Sequence, residues 1–108
     1  MRRGKYGAIR TTVDGVTFHS KKEATRYLEL KMLEKAKKIE FLKLQPKFPV
    51  VVGGIKVCTY IGDFSYRDRK TGAIIYEDVK SKVTAKLPMY RLKKKLVKAV
   101  YGIDIKET

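Results

Sequence analysis

Two helix-forming segments enclose a block of β-branched and aromatic residues, and this arrangement most constrains the fold. The first segment, 20–38, opens with the S-x-x-E spacing of a capping box and contains no Gly or Pro. The second, 88–101, begins with Pro and is followed by Gly. Between them, residues 39–79 are rich in Val, Ile, Tyr and Phe, which favours strands. The pattern predicts an α/β domain.

Turn signals divide the rest of the chain into short strands. An Asp-Gly pair between two β-branched runs predicts a hairpin over 11–18. Strands are expected in 39–52, where two prolines interrupt them, and a Gly-Gly turn follows. Segments 55–66 and 73–79 predict a second hairpin, and 103–105 a last strand. The predicted order after the opening hairpin is α-β-β-β-α-β.

Both predicted helices carry apolar residues at helical spacing. On the first helix these residues lie on several sides of the axis, so we expect it to contact protein on more than one side. Its members are Ala24, Leu28, Met32 and Ala36 in one row, and Tyr27, Leu30 and Leu33 elsewhere. On the second helix the expected core-facing stripe is Met89, Leu92, Leu96 and Val100.

The charge balance predicts an anionic partner. The chain has 26 Lys and Arg against 11 Asp and Glu, a net charge of +15, and such a density repels itself unless an anion is usually close by. Nucleic acid, and DNA in particular, is the expected partner. An amphipathic membrane helix would favour Trp beside its basic face, and the chain has none, so no membrane partner is expected. The candidate DNA-binding residues are Arg2, Arg3, Lys5, Arg10, Arg91, Lys94, Lys95 and Lys98.

Length and composition limit the organisation of the chain. With 108 residues and 44% hydrophobic residues, it is expected to form one folded domain over 11–108 and is not a disordered polyelectrolyte. Segment 1–10 is interpreted either as a basic flexible arm that follows a phosphate backbone or as an unstructured, solubilising terminus. No apolar h-region follows the first residues, and the single Cys58 cannot form an internal disulfide. A reducing, cytoplasmic location is expected.

Carboxylates inside apolar strands are the strongest chemical signal. Asp63 lies within the apolar stretch 60–64, and Asp78 lies near the end of the next predicted strand. Burying a carboxylate without a partner is costly. Strand geometry puts Asp78 and Lys80 on one face and Glu77 on the other. Two registers of the hairpin bring Asp63 onto the face of Asp78, directly across or diagonally, whereas the register between them brings in Glu77 instead.

Two carboxylates held a few ångströms apart repel each other unless a cation lies between them or one is protonated. Hard oxygen ligands in this arrangement suit Mg²⁺, with Mn²⁺ as a substitute. Lys80 could then orient a water or neutralise charge that develops on phosphorus. The residues predict metal-dependent phosphodiester hydrolysis. The alternative is that Asp63, Asp78 and Lys80 form a structural ion-pair network.

Four segments also carry a resemblance that spans essentially the whole chain. They are 13–23 (VDGVTFHSKKE), 44–48 (LQPKF), 60–64 (YIGDF) and 76–80 (YEDVK). With an acidic residue on the first helix and Asp-x-Lys on a strand, the chain resembles the PD-(D/E)XK restriction-endonuclease-like nuclease superfamily. More narrowly, it is similar to a family of small phage and prophage proteins within that superfamily, which also includes Holliday-junction resolvases.

The resemblance implies a restriction-endonuclease-like core, in which helices flank a mixed central sheet preceded by a short hairpin. It implies that Asp63 and Asp78 bind the catalytic metal, that Lys80 is the motif lysine, and that Glu23 is the helix carboxylate. Glu23 also has a purely local interpretation, because the third helical position of a capping box favours Glu. The chain departs from the motif at Gly62, where Pro is usual. Of the Glu77–Asp78 doublet, the spacing to Lys80 favours Asp78.

Taken together, the expected function is a Mg²⁺-dependent endonuclease that acts on DNA, with branched or junction DNA favoured by the resemblance to resolvases. The alternative is a non-catalytic nucleic-acid-binding accessory protein of phage replication or recombination. A homodimer is expected because cutting two strands needs two sites, and because the apolar residues of the first helix and of 39–52 offer a two-fold interface. Alternatively, these residues fill a single core.

Overall fold

The computed structural model describes residues 10–108, which form an α/β structure with two helices and eight short strands. The predicted DNA contacts Arg2, Arg3 and Lys5 lie outside the described residues, as does nearly all of the predicted arm. No helix within 10–108 is both long enough and apolar enough to span a membrane.

The opening hairpin is confirmed. Strands β1 (Thr11–Val13) and β2 (Val16–Phe18) pair antiparallel. Asp14 and Gly15 have φ values of 52° and 76°, the positive angles that a two-residue turn of this kind requires. The Tyr27 hydroxyl donates a hydrogen bond to Asp14 Oδ2 at 3.0 Å, which ties the turn to the first helix.

Helix α1 spans Lys21–Lys35 and begins as predicted, with the Ser20 hydroxyl accepting a hydrogen bond from the Glu23 backbone N–H at 3.1 Å. It ends three residues before the predicted end. The buried apolar residues of α1 are Ala24, Tyr27 and Leu30. Leu28 and Met32 are exposed, so the predicted contact on more than one side is not found within residues 10–108. There the helix packs on the opening hairpin and on the sheet.

The middle of the chain forms one long bent hairpin. Its first arm consists of β3 (Ile39–Leu44) and β4 (Lys47–Val52), and its second of β5 (Ile55–Ile61) and β6 (Phe64–Asp68). Strand β3 pairs with β6, and β4 with β5. The predicted continuous strand 55–66 is therefore wrong, because both arms break at the same level and their two halves enter different sheets.

Hydrogen bonds continue across this bend. The Gln45 N–H donates to the Asp63 carbonyl oxygen and the Gly62 N–H donates to the Pro46 carbonyl oxygen, both at 2.9 Å. Gln45 has a φ of 53°, a left-handed conformation that turns the first arm. The bend thus fixes the backbone on both sides of Asp63.

Strand β7 (Ile74–Asp78) pairs antiparallel with β6, and β8 (Lys106–Glu107) pairs parallel with β7. The sheet has the order β3-β6-β7-β8 and is mixed, as expected. The predicted last strand at 103–105 is displaced towards the end of the chain. Ile105 is buried in the core instead, and the chain reaches the edge of β7 only at Lys106.

Helix α2 spans Pro88–Tyr101 and follows a 3-10 turn at Thr84–Lys86. Both predicted ends are confirmed, with Pro in the first turn and Gly102 capping at a φ of 71°. The predicted core stripe is wrong for three of its four members, because Met89, Leu92 and Val100 are exposed. The buried residues are Tyr90 and Val97. They lie two turns apart and pack against aromatic residues of β4 and β5, which sets the rotation of the helix.

Two apolar clusters form within the part of the chain that the structure describes. The first, on the α1 side, contains Phe18, Ala24, Tyr27, Leu30, Ile39, Phe64 and Tyr66. The second, on the α2 side, contains Phe48, Tyr60, Tyr90, Val97 and Ile105. Consecutive residues of β7 therefore face different helices: Ile75 packs with the α1 cluster and Tyr76 with the α2 cluster.

Candidate active site

The register between β6 and β7 brings Asp63 and Asp78 together. Phe64 lies opposite Glu77, so the preceding Asp63 lies opposite Asp78. The Asp63 N–H donates to the Glu77 carbonyl oxygen at 3.0 Å, which extends the pairing past the end of β6. Of the registers considered, the one that sets the two aspartates directly across from each other is confirmed.

Asp63 is held at the bend by the backbone of the neighbouring strand. Its Oδ2 accepts a hydrogen bond from the Val79 N–H at 2.7 Å. Burial, together with the adjacent Asp78 carboxylate, raises the pKa of Asp63 to about 8. The pair therefore has the mutual repulsion that a shared cation or a shared proton relieves.

Asp78 is almost fully buried, with 3% of its surface exposed. The Tyr60 hydroxyl donates a hydrogen bond to its Oδ2, and Lys80 Nζ lies 3.4 Å from its Oδ1. Burial and this bond to Asp78 raise the pKa of Tyr60, so the phenol remains a donor. Lys80 Nζ also lies 4.3 Å from the centre of the Tyr90 ring, within the range of a cation–π contact. Asp78 and Lys80 thus act as the unit that their spacing predicted.

Asp63, Asp78 and Lys80 form the centre of the candidate active site. Glu23 approaches this centre from the first turn of α1. It is buried, and burial raises its pKa, an effect that His19 opposes and that the Asp78 carboxylate reinforces. The Glu23 backbone N–H donates a hydrogen bond to the Ser20 hydroxyl. Glu23 therefore also takes part in the capping of α1. The four residues predicted as catalytic are thus neighbours: Lys80 Nζ lies close to Asp78, and burial together with the Asp78 carboxylate raises the pKa of both Asp63 and Glu23.

Glu77 faces the opposite side of the sheet and has different partners. Arg26 Nε donates to its Oε1 at 2.8 Å, and Arg26 Nη2 donates to its Oε2 at 2.7 Å. The Tyr66 hydroxyl donates to the same carboxylate. Although burial raises it, these hydrogen bonds hold the pKa of Glu77 below its usual range. The two neighbouring carboxylates thus have different roles. Glu77 links β7 to α1 through Arg26, and Asp78 faces the centre.

A cavity of about 290 Å³ opens in front of this centre. Asp78 and Lys80 line it together with Tyr60, Tyr90 and Lys93, whereas Asp63 and Glu23 do not. Neither Tyr60 nor Lys93 is predicted from the sequence as a site residue. The sequence around Tyr60 could have indicated a site role, because Tyr60 lies in the same apolar stretch as Asp63. No sequence pattern could have indicated Lys93, because its position depends on the rotation of α2.

The predicted DNA-binding residues of α2 line a separate cavity. Lys94 pairs with Glu107 at 3.1 Å, and Lys98 pairs with Asp104 at 2.8 Å. Two of the four predicted cations thus have carboxylate partners within the chain, although exposed pairs of this kind are weak. Arg10 is exposed, ahead of β1. The cavity that these α2 residues share is lined by Arg91, Lys94, Lys95 and Lys98 together with Asp104 and Glu107.

The donor set of the centre fits a hard divalent cation. Within residues 10–108, no group of three or more His, Cys, Asp or Glu side chains is arranged to hold a metal ion. Mg²⁺, however, keeps several water ligands and is commonly bound through only one or two carboxylates. Asp63 and Asp78 supply such a pair, and their repulsion makes a cation between them favourable. Asp63 and Asp78 are thus the residues that could hold a cation such as Mg²⁺ or Mn²⁺.

Comparisons with known proteins identify a family but no characterised relative. No curated protein and no solved structure matches the chain. One family model, described as "Protein of unknown function (DUF1064)", matches residues 3–108, and the chain belongs to this family.

Proposed function

We propose that this protein is a Mg²⁺-dependent endonuclease that hydrolyses phosphodiester bonds in DNA, with Mn²⁺ as a substitute metal. One observation carries the proposal: Asp63 and Asp78 oppose each other at the end of two paired strands, with Lys80 Nζ 3.4 Å from Asp78 Oδ1. The mixed sheet between two helices is compatible with a restriction-endonuclease-like core of the PD-(D/E)XK type.

In this proposal Asp63 and Asp78 hold the divalent cation. The cation, when bound, neutralises phosphate charge and lowers the pKa of a water ligand. The surrounding residues keep the two carboxylates in position. The Val79 N–H holds Asp63, and the Tyr60 hydroxyl holds one oxygen of Asp78.

Lys80 and Glu23 complete the proposed chemistry. The Lys80 ammonium stabilises the negative charge that develops on the phosphate oxygens in the transition state. Glu23 acts as the helix carboxylate of the centre, where its raised pKa suits it to exchange a proton with a nearby water. Lys80 approaches Asp78 from the segment just after β7, and Glu23 comes from the first turn of α1.

A second candidate function rests on one specific observation. Both oxygens of Asp78 already have partners within the chain, Tyr60 and Lys80. A satisfied network of this kind is also what a purely structural role requires. The protein would then be a DNA-binding accessory protein without cleavage activity.

Cleavage assays distinguish the two functions. The purified protein is incubated with supercoiled plasmid, linear duplex, single-stranded DNA and a four-way junction, each with Mg²⁺, Mn²⁺ or EDTA. Cleavage is expected with either metal and not with EDTA, and the junction is expected to be the best substrate. Binding to all of these substrates without metal-dependent cleavage would favour the accessory protein.

Variants separate the chemistry from binding. Asp78→Asn or Lys80→Ala is expected to abolish cleavage and to leave DNA affinity nearly unchanged, with a slight gain for Asp78→Asn because a negative charge is removed. The control is Glu40→Gln, which changes a carboxylate outside the centre that pairs with Arg67 and should cleave like the wild type. Parallel loss of cleavage and binding in the centre variants would contradict the assignment.

We further propose that the enzyme is a homodimer joined through an apolar ribbon on β4 and β5, formed by Val51, Val52, Ile55, Val57 and Ile61. Their exposed fractions run from 48% at Val51 to 70% at Ile55, and they lie on both faces of this end of the hairpin. Residues 48–62 contain a single charged residue in a chain of net charge +15. Two copies of so basic a chain repel each other least where such a surface forms the contact.

A further inference from the structure

A second cavity, of about 530 Å³, lies between the start of α1 and the edge formed by β7 and β8. Four cationic side chains contribute to its lining, those of Lys21, Lys22, Arg26 and Lys106, against the single carboxylate of Glu29. The cations come from different elements, so the fold gathers them at this place. Like charges this close together destabilise the fold unless an anion offsets them.

The four cations are not equally available to a ligand. Arg26 is bound to the buried Glu77, and the Lys22 ammonium donates to the Lys80 carbonyl oxygen. Lys21 and Lys106 are exposed and have no side-chain hydrogen bond or ion pair within residues 10–108. Lys106 acts on Glu77 only through longer-range attraction. Two lysines are thus free to bind an anion.

This basic cavity directly adjoins the candidate active site. Val79 forms part of its wall, and the N–H of the same residue holds Asp63. The next residue, Lys80, lines the catalytic cavity, just beyond the end of β7. A ligand that occupies both cavities at once must carry anionic groups at short, regular intervals, as a nucleic-acid strand does.

We infer that the basic cavity binds a backbone phosphate of the same DNA strand that enters the active site, close to the phosphate that is cut. This inference rests on the proposed function and adds a subsite to it. Lys21 and Lys106 contact this phosphate, while Arg26 and Lys22 are held by the protein and shape the cavity. The subsite fixes which phosphate of the strand reaches Asp78 and Lys80.

The test measures binding in EDTA, so that it does not depend on cleavage. The affinity for a labelled short duplex and for a four-way junction is followed by fluorescence anisotropy as a function of salt. The double variant Lys21→Gln/Lys106→Gln is expected to reduce the log–log salt slope by about one unit, for the one phosphate that the protein no longer neutralises. The control Lys35→Gln/Lys38→Gln removes the same charge at the other end of α1 and should leave the slope unchanged.

A second measurement locates the phosphate. Strands that carry one neutral methylphosphonate at successive positions are bound to the wild type and to the double variant. In the wild type, one position should weaken binding about tenfold. The same substitution should have no effect in the double variant, because the two lysines that bind this phosphate have been replaced. Lys21→Arg/Lys106→Arg should restore the sensitivity.

The outcomes separate this inference from the proposed function. If the double variant binds DNA like its control, with equal salt slopes and equal sensitivity to every methylphosphonate, the subsite does not exist, whether or not the wild type cleaves DNA. If the subsite is observed but no substrate is cut with Mg²⁺ or Mn²⁺, the phosphate subsite stands and the endonuclease assignment fails. A response only to strands with a terminal phosphate would also overturn the assignment to a backbone phosphate.

Discussion

At the scale of single residues, Tyr60 positions one carboxylate oxygen of Asp78. Its hydroxyl donates to Asp78 Oδ2 from within β5. A hydrogen bond to a charged group contributes about 1.5–3 kcal/mol, so removing it should release Asp78 from its position without emptying the core.

We therefore expect Tyr60→Phe to lower the cleavage rate at least tenfold, since each 1.4 kcal/mol or so corresponds to one factor of ten. Single-turnover assays with Mg²⁺ measure this effect. Tyr101→Phe is the control, because its hydroxyl donates to the Pro49 carbonyl oxygen away from the centre. Equal rates for both variants would show that Tyr60 does not orient Asp78.

Glu77 has a structural role, and its loss should affect stability. Its side chain is fully buried and accepts two hydrogen bonds from Arg26. Removing one partner of a buried pair typically costs about 3–5 kcal/mol, because the other charge is left without compensation. Glu77→Gln should lower the free energy of unfolding in urea by about this amount. Glu40→Gln breaks only the exposed pair with Arg67 and should cost less than about 1 kcal/mol.

The same carboxylate predicts a pH dependence of stability. The pKa of Glu77 is lowered in the folded chain, so its contribution is fully present above the unfolded pKa of about 4.3 and is lost as pH falls through the folded value. Urea unfolding between pH 6 and pH 3 should therefore show a steeper loss of stability for the wild type than for Glu77→Gln. Parallel curves would mean that Glu77 is not ionised against Arg26.

At the scale of elements, the bend in the long hairpin decides where Asp63 lies. Both arms break at one level, and the Gly62 N–H donates to the Pro46 carbonyl oxygen at 2.9 Å. A Cβ at Gly62 would lie 3.3 Å from Pro46 Cγ and 3.5 Å from the Glu77 carbonyl oxygen. Gly at this position thus supplies a hydrogen bond and also avoids crowding.

This geometry explains why the chain departs from the Pro-Asp motif that it resembles. Gly62→Pro restores the motif but removes the N–H and adds a ring beside Pro46. We expect it to destabilise the fold by about 1–3 kcal/mol and to lower cleavage by displacing Asp63. Gly62→Ala keeps the N–H and should fall between this variant and the wild type. A fully active Gly62→Pro would show that the bend tolerates the motif proline.

At the scale of the whole molecule, assembly depends on which apolar surface a second copy covers. The apolar ribbon of β4 and β5 and the exposed Leu28 and Met32 of α1 are the two candidates. The ribbon has little charge, whereas Lys31, Glu34 and Lys35 flank the α1 residues. We expect self-association through the ribbon, strengthened by salt because salt screens the repulsion between the copies.

Sedimentation at several salt concentrations, with and without a four-way junction, tests this expectation. The wild type should sediment as a dimer at high salt or on the junction, and Ile55→Lys/Val57→Lys should remain monomeric. Leu28→Lys/Met32→Lys adds the same charge on α1 and should dimerise like the wild type. A wild type that is monomeric under every condition would contradict the dimer and weaken the comparison with resolvases.

Much of the local structure follows from the sequence alone. The Asp-Gly turn, the Ser20 cap, and the Pro88 and Gly102 ends of α2 each depend on the conformational preferences of neighbouring residues. The common face of Asp78 and Lys80 follows from the two-residue repeat of a strand. These features need no information about the rest of the molecule, and the structure confirms them.

Other features were decided only by tertiary structure. The break that divides one predicted strand between two sheets depends on hydrogen bonds between Gln45, Pro46, Gly62 and Asp63, which are distant in sequence. The rotation of α2 depends on the aromatic surface beneath it, and for this reason the periodicity of its apolar residues predicted the wrong face. The partner of Asp63 and the partner of Glu77 depend on register and on the position of α1. A pattern of residue types carries local preferences, whereas the choice among registers, helix rotations and buried ion pairs is made by the packing of distant segments against one another.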